Sequence, residues 1–367
     1  MTVRERILTI LKGEQPDQVP WFGDLDYWAN SLVKRGLKPK DFILSDDYIK
    51  WHKELGVGFY LQGYFPYKQI ISNCCIKDWR EGNKHFKLIE TPVGSVRECW
   101  EYVPNSYCDA PVEHFMKSET EIPIMKYIYG NTRFEPDYDQ AYLRKKQVGD
   151  QGVVLCYLPK SPFMHLLALE AGVMAVTLSA LTAPDEFSDL LNTMKKAFDQ
   201  AAQIAVDSPA EVLMIPENLS SEMVGPDLFE MYMFDYQKEW TTKIREAGKY
   251  SYIHIDGTLA GLLKDEAGVG FTVLEALTPH PVGDMKWEEL EPFIGDSKSI
   301  LWGGIPGSYF TDCVDDEEFD RHVKYLLGIM TRNPRYVLGV ADQVPPDGLE
   351  RRVKRVSELV NEFGNYI

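Results

Sequence analysis

Short apolar runs alternate along this chain with longer amphipathic stretches. Eight short runs read as strands: residues 19–23, 58–63, 153–158, 211–216, 250–256, 271–277, 299–305 and 336–342. Helical patterns lie between most of them, for example over 184–207, 226–247 and 316–332, and a last one spans 348–363. Pro184 and Pro226 both suit a first helical position. Near-continuous apolar strands separated by helices predict a parallel sheet covered on its faces. Eight such units fit a (β/α)8 TIM barrel better than an open doubly wound sheet. The open sheet usually carries a glycine-rich first turn, and no G-x-G-x-x-G follows any strand here.

Thr2 with Glu5 matches a capping box, which predicts a short amphipathic helix ending at Gly13. Residues 66–150 break the rhythm. Within them, 86–90, Thr91-Pro-Val-Gly94 and 95–102 predict an antiparallel hairpin. The expectation is a single barrel domain over 1–367, with this insertion forming a lid-like subdomain over its mouth. No fixed-period repeat is present.

The chain has 367 residues, is 44% hydrophobic and carries a formal net charge of -17. That composition supplies a core and argues against nucleic-acid or anionic-membrane binding. No apolar run reaches the roughly 18 residues of a membrane span. The N-terminus, interrupted by Arg4 and Arg6, is unlike a signal peptide, so the expected location is cytoplasmic. None of the six cysteines shows C-x-x-C spacing, and they read as incidental thiols.

In such barrels the active site lies at the C-terminal strand ends. The predicted register places there Asp24, Asp26, Tyr27 and Trp28; Gln62, Tyr64 and Phe65; Lys160; Glu217 and Asn218; His254 and Asp256; Glu275 and His280; Gly303 and Gly304; and Asp342 and Gln343. Converging carboxylates repel, and a proton or a bound cation must relieve them. A His with carboxylates suits a metal ion, held by Glu217, His254, Asp256 and Asp342, or a proton-transfer site. Each has a structural alternative. These are a satisfied core histidine for His254, a helix N-cap for Asp256, a loop hydrogen bond for Glu217-Asn218 and an ion pair for Asp342. Trp21, Phe22, Tyr60, Tyr67, Trp302, Tyr309 and Phe310 join Tyr27, Trp28, Tyr64 and Phe65 in a mouth that looks aromatic, favouring a flat or apolar ligand.

Several motifs resemble the uroporphyrinogen decarboxylase superfamily. They are Arg4-Glu-Arg-Ile-Leu, Gly13-Glu-Gln-Pro-Asp-Gln-Val-Pro20, Thr91-Pro-Val-Gly94, His254-x-x-Gly257, Gly303-Gly304-Ile305, and Leu338-Gly339 leading to Gln343-Val-Pro-Pro346. The resemblance spans residue 4 to about 363. It implies a TIM barrel in one of two branches. The decarboxylase branch carries arginines after the first strand to hold a polycarboxylate. This chain has no Lys or Arg from Val19 to Asn30 and offers Asp24 and Asp26 instead. The corrinoid-dependent methyltransferase branch is closer, including the stretch Glu113-His-Phe-Met-Lys-Ser-Glu-Thr-Glu. Its zinc site uses His-x-Cys and a later Cys, which align here with His254, Asp256 and Asp342.

The resemblance thus implies methyl transfer, assisted by zinc or by acid catalysis, from a small oxygen-linked donor to Co(I) of a separate corrinoid protein. A methoxylated aromatic, hence an O-demethylase, is the best expectation for the donor. Glu217, His254, Asp256 and Asp342 would be catalytic or metal-binding. Gly303, Gly304 and Gln343 would bind cofactor. Trp21, Asp24, Tyr27, Tyr64, Asn218 and Glu275 would line the substrate pocket. The alternatives are a decarboxylase and an inactive ligand- or corrinoid-binding barrel.

Overall fold

The computed structural model describes residues 1–60 and 64–367. In chain order the strands are β1 (Trp21–Phe22), β2 (Tyr67–Ile71), β3 (Cys75–Glu81), β4 (Lys84–Thr91), β5 (Gly94–Val103), β6 (Cys108–Glu113), β7 (Thr132–Pro136), β8 (Leu155–Tyr157), β9 (Val212–Leu219), β10 (Tyr250–Ile255), β11 (Val273–Leu277), β12 (Ile300–Pro306) and β13 (Tyr336–Ala341). Seven of them form a parallel sheet in the order β1-β13-β12-β11-β10-β9-β8. The ring closes through the second predicted strand. Gly58 bridges Phe22 and Phe59 bridges Gly152, both parallel. This is a (β/α)8 barrel whose second strand is seen, among the described residues, as single bridges. The predicted end of that strand, including Gln62, lies outside the described residues.

Alternation along the strands sorts the side chains. Phe22, Tyr60, Leu155, Met214, Tyr252, Val273, Ile300, Trp302 and Val337 form one buried cluster that fills the barrel interior. The N-terminal helix Val3–Leu11 closes its floor, with Ile7, Ile10 and Leu11 in the same cluster. Burying each such side chain contributes roughly 1.5–3 kcal/mol. The capping box is present: Thr2 Oγ1 accepts from the Glu5 amide at 3.1 Å, and Glu5 accepts from the Thr2 amide at 2.8 Å. Arg4 pins this helix to the barrel by donating to Gly152 O at 2.8 Å and Glu211 at 2.7 Å.

The alternate positions on the same strands face the helical layer. That layer includes Pro184–Asp207, as the pattern predicts, but the stretch 226–247 splits into Pro226–Tyr232 and Phe234–Glu246. No helix is long and apolar enough to cross a membrane among the described residues.

The insertion holds more than one hairpin. β3, β4, β5 and β6 form a four-stranded antiparallel sheet, and β2 pairs antiparallel with β7. The β5–β6 turn touches the barrel mouth. Tyr27 donates its hydroxyl to Ser106 O at 2.5 Å, and Lys34 donates to Tyr107 O at 2.6 Å. The β2–β7 part lies elsewhere: Tyr138 donates to Ile204 O at 2.8 Å on the flank helix Pro184–Asp207.

His52 gives the fold a pH dependence. It is 2% exposed among the rings of Tyr48, Trp51 and Phe59. Burial, aided by nearby Arg144, lowers its pKa to about 3. The folded state therefore keeps His52 neutral while the unfolded chain protonates near 6.5. Because the unfolded state binds the extra proton, stability falls as pH drops from 6.5 towards 3, by about 1.4 kcal/mol per pH unit. Denaturant melts of wild type and His52→Gln between pH 7 and 5 should differ in slope by about one proton. Parallel slopes would remove His52 as the cause.

Candidate active site

Tyr252 and His254 share the inward face of β10, two residues apart, with Tyr252 in the packed interior and His254 above it. The parallel register sets His254 beside Glu275 of β11. His254 Nδ1 lies 2.6 Å from Glu275 Oε2. The other carboxylate oxygen accepts the Tyr60 hydroxyl at 2.6 Å from the second strand position. Glu275 is wholly buried, and these two contacts satisfy one oxygen each. On the open side, His254 Nε2 lies 3.6 Å from Asp342 Oδ1, just past β13.

Electrostatics hold His254 as a cation. Burial opposes its charge, but Glu275, by proximity and hydrogen bond, then Asp342 and Asp256, outweigh it and push the pKa up to about 9. Burial raises the Asp342 carboxyl to about 6, with Asp256 and Glu275 adding repulsion and His254 opposing. Its side chain is still 48% exposed, so solvent screens it more than it does His254. Asp24 is 2% exposed; burial and then the charges of Asp26, Asp342 and Glu275 raise its pKa well above the ordinary range. Its Oδ1 accepts the Asp26 amide at 2.8 Å, while Oδ2 has no partner among the described residues.

The backbone is strained at the same rim. Asn218, Ala276 and Asp342 have φ of 53°, 65° and 67°. Non-glycine residues seldom adopt this conformation, and such strain concentrates at functional sites. Beside them opens a cavity of about 530 Å³ lined in part by Tyr27, Asp256, Thr278, Asp342, Gln343 and Asp347. Among the described residues no Lys or Arg lines it. The arrangement therefore holds a protonated imidazole beside Asp342, which lines this small acidic cavity, and the cavity repels anions.

The structure brings together His254, Asp256, Asp342, Gln343, Tyr27, Glu275 and Asp24, but not the rest. Glu217 is the main correction. β9 runs to Leu219, so Glu217 lies inside the strand with the outward parity of Leu213 and Ile215. It accepts the Ser161 amide at 2.9 Å and Gln237 at 3.4 Å, and faces Glu266 in the helical layer. Asn218 is exposed, with Lys160 at 3.5 Å. Lys160 itself donates to Pro216 O. Asp256 caps no helix, because the next one begins at Leu263 with Leu262 at its cap.

The predicted four-ligand zinc set is thus not assembled. Among the described residues no group of three or more His, Cys, Asp or Glu side chains is arranged to hold a metal ion. The residues present do not fit that zinc site.

The cofactor glycines are also packing residues. A Cβ on Gly303 would lie 2.4 Å from Leu277 O, and one on Gly304 would meet Leu326 at 3.0 Å. The aromatic mouth dissolves in the same way. Phe22, Tyr60 and Trp302 fill the barrel interior, and Trp21 stacks on Phe310. Trp28 packs on Trp51, Tyr309 on His322, and Tyr64 bonds Asp137 O in the insertion. Phe65 lies against Tyr67 and Tyr157. His280 is exposed and outside the cavity. Tyr27 is the one aromatic that lines the cavity among the described residues. Sequence reading missed the Tyr60–Glu275 link and Asp347. The first needs a cross-lumen contact, and the second sits in a loop that carries no pattern.

Comparison with known proteins places this geometry among relatives. The family model described as uroporphyrinogen decarboxylase (URO-D) matches residues 107–363. Among solved structures, a methyltransferase from Methanosarcina mazei superposes with a TM-score of 0.64 at 16% identity, covering 99% of each chain. No curated protein sequence matches the chain.

Proposed function

The chain belongs to the uroporphyrinogen decarboxylase (URO-D) family, and on that premise we propose that it is a methyltransferase that demethylates a small oxygen-linked donor. The observation that carries this reading is the imidazolium of His254, clamped by Glu275 and 3.6 Å from Asp342, which lines a cavity with no Lys or Arg among the described residues. A cavity of that charge repels a polycarboxylate, which counts against decarboxylation of a porphyrinogen. The likeness to a methyltransferase over the whole chain adds to the reading. With one aromatic in its lining, the cavity gives no reason to require a methoxylated aromatic.

A Co(I) corrinoid carried by a separate protein would supply the two-electron nucleophile for the methyl group. The barrel supplies the proton. As the C–O bond breaks, its electron pair stays on the leaving oxygen, which takes the proton from His254 Nε2. Glu275 orients the ring through Nδ1, and Tyr60 holds Glu275. Asp342, half exposed and beside Nε2, returns a proton from solvent. Zinc takes no part in this scheme.

The test is single-turnover transfer to Co(I) cobalamin from two methyl ethers, one releasing an alkoxide and one a phenoxide. His254→Gln should slow the alkoxide donor by about 10²–10⁴-fold and the less basic phenoxide far less. Equal losses on both would remove His254 as the acid. Loss of wild-type transfer on chelation, restored by zinc, would overturn the metal-free scheme.

A further inference from the structure

We propose that the N-terminal face of the barrel, opposite the mouth, binds a small polyanion bearing phosphates or several carboxylates. A cavity of about 740 Å³ opens there, between the end of the floor helix and the segments that lead into β11, β12 and β13. Lys12, Arg245, Lys298 and Arg335 line it, together with Ser297 and Asn333, and among the described residues no Asp or Glu does. The chain has 56 acids against 39 Lys and Arg, so this lining runs against its overall charge. Glu14, Glu246 and Asp296, close in sequence, stay outside the lining.

The four cations differ in what already engages them. Arg335 is held: it pairs with Glu291 at 3.3 Å and donates to Ser297 O at 2.6 Å and Ser299 O at 3.0 Å. Those bonds fix the short loop that presents Lys298. Lys12 and Lys298 make no ion pair among the described residues, and Arg245 reaches only Thr242 at 3.5 Å. Helix ends account for two of the four, since Lys12 and Arg245 sit where exposed carbonyls favour a cation. Lys298 and Arg335 lie outside any helix and have no such reason. Three uncommitted cations around one fixed guanidinium make a site for an anion of several charges. The volume lies within the roughly 300–1,000 Å³ of small-ligand pockets, which selects a metabolite-sized ligand over a macromolecule.

The proposal does not depend on the chemistry of the mouth. Calorimetric titration of the full chain at low ionic strength, with pyrophosphate and separately with citrate, tests it. Saturable binding is expected, weakened by added salt. The double variant Lys12→Glu/Lys298→Glu should bind roughly tenfold or more weakly, while Lys53→Glu, on another face, should match wild type. Both replaced lysines are exposed, so a matching melting temperature confirms that the double variant folds. Binding of pyrophosphate alone identifies a phosphorylated ligand, and citrate alone a polycarboxylate. No saturable binding of either, or equal binding by the double variant, overturns the proposal.

Discussion

Glu275→Gln should lower methyl transfer by about 10²–10⁴-fold while leaving the barrel folded. The amide is isosteric, and its carbonyl still accepts the Tyr60 hydroxyl. What changes is the charge 2.6 Å from His254 Nδ1. With the carboxylate gone, burial dominates and the imidazole loses its extra proton. Nitrogen NMR of the ring separates this effect from a general loss of structure. At pH 7.5 wild type should show both ring nitrogens protonated, and Glu275→Gln a neutral ring. A variant whose ring stays doubly protonated and whose rate is unchanged would end the role of Glu275 as the residue that positions and charges the acid.

The second large effect is on folding. Gly303→Ala should destabilise the chain by about 4 kcal/mol or more, or prevent its accumulation. Gly303 has φ 146°, and its added Cβ would lie 2.4 Å from Leu277 O and 2.7 Å from Leu277 N. Both neighbours are backbone in β11, so no side chain can swing aside. Gly82→Ala is the control. It has φ 59° but nothing within 4 Å, so it carries only the backbone term, about 1 kcal/mol. Denaturant midpoints of the two variants decide the matter. Equal midpoints would mean that β12 shifts freely and that the close approach to β11 is not required.

The parts of the site that were legible in the sequence end apolar runs at a fixed parity. His254 and Asp256 follow Tyr252 at steps of two, so one inward residue placed the next. Glu217 went astray for the same reason in reverse. Ending its strand at Pro216 made it a rim residue, whereas β9 runs on for three more residues and parity turns it outward. Aromatic rings gave no such signal. A Trp that fills a barrel and a Trp that lines its mouth stand at equivalent positions in an apolar strand, and Trp302 proved to be the first kind. In the insertion, the Pro-Val-Gly turn marked β4 and β5. β6 hid itself, being exposed and interrupted by Pro111, as suits an edge strand.

β1 finds its strand partner at the far end of the chain: Trp21 pairs with Leu338 and Phe22 with Gly339. Those 317 positions (338 minus 21) take roughly 15–60 s to synthesise at about 5–20 residues per second. Throughout that interval the first strand and the floor helix have emerged without the edge they need. The ring can therefore close only after β13 has emerged. A chain cut short before β13 would carry every member of the Tyr60–Glu275–His254 relay but would leave the barrel open.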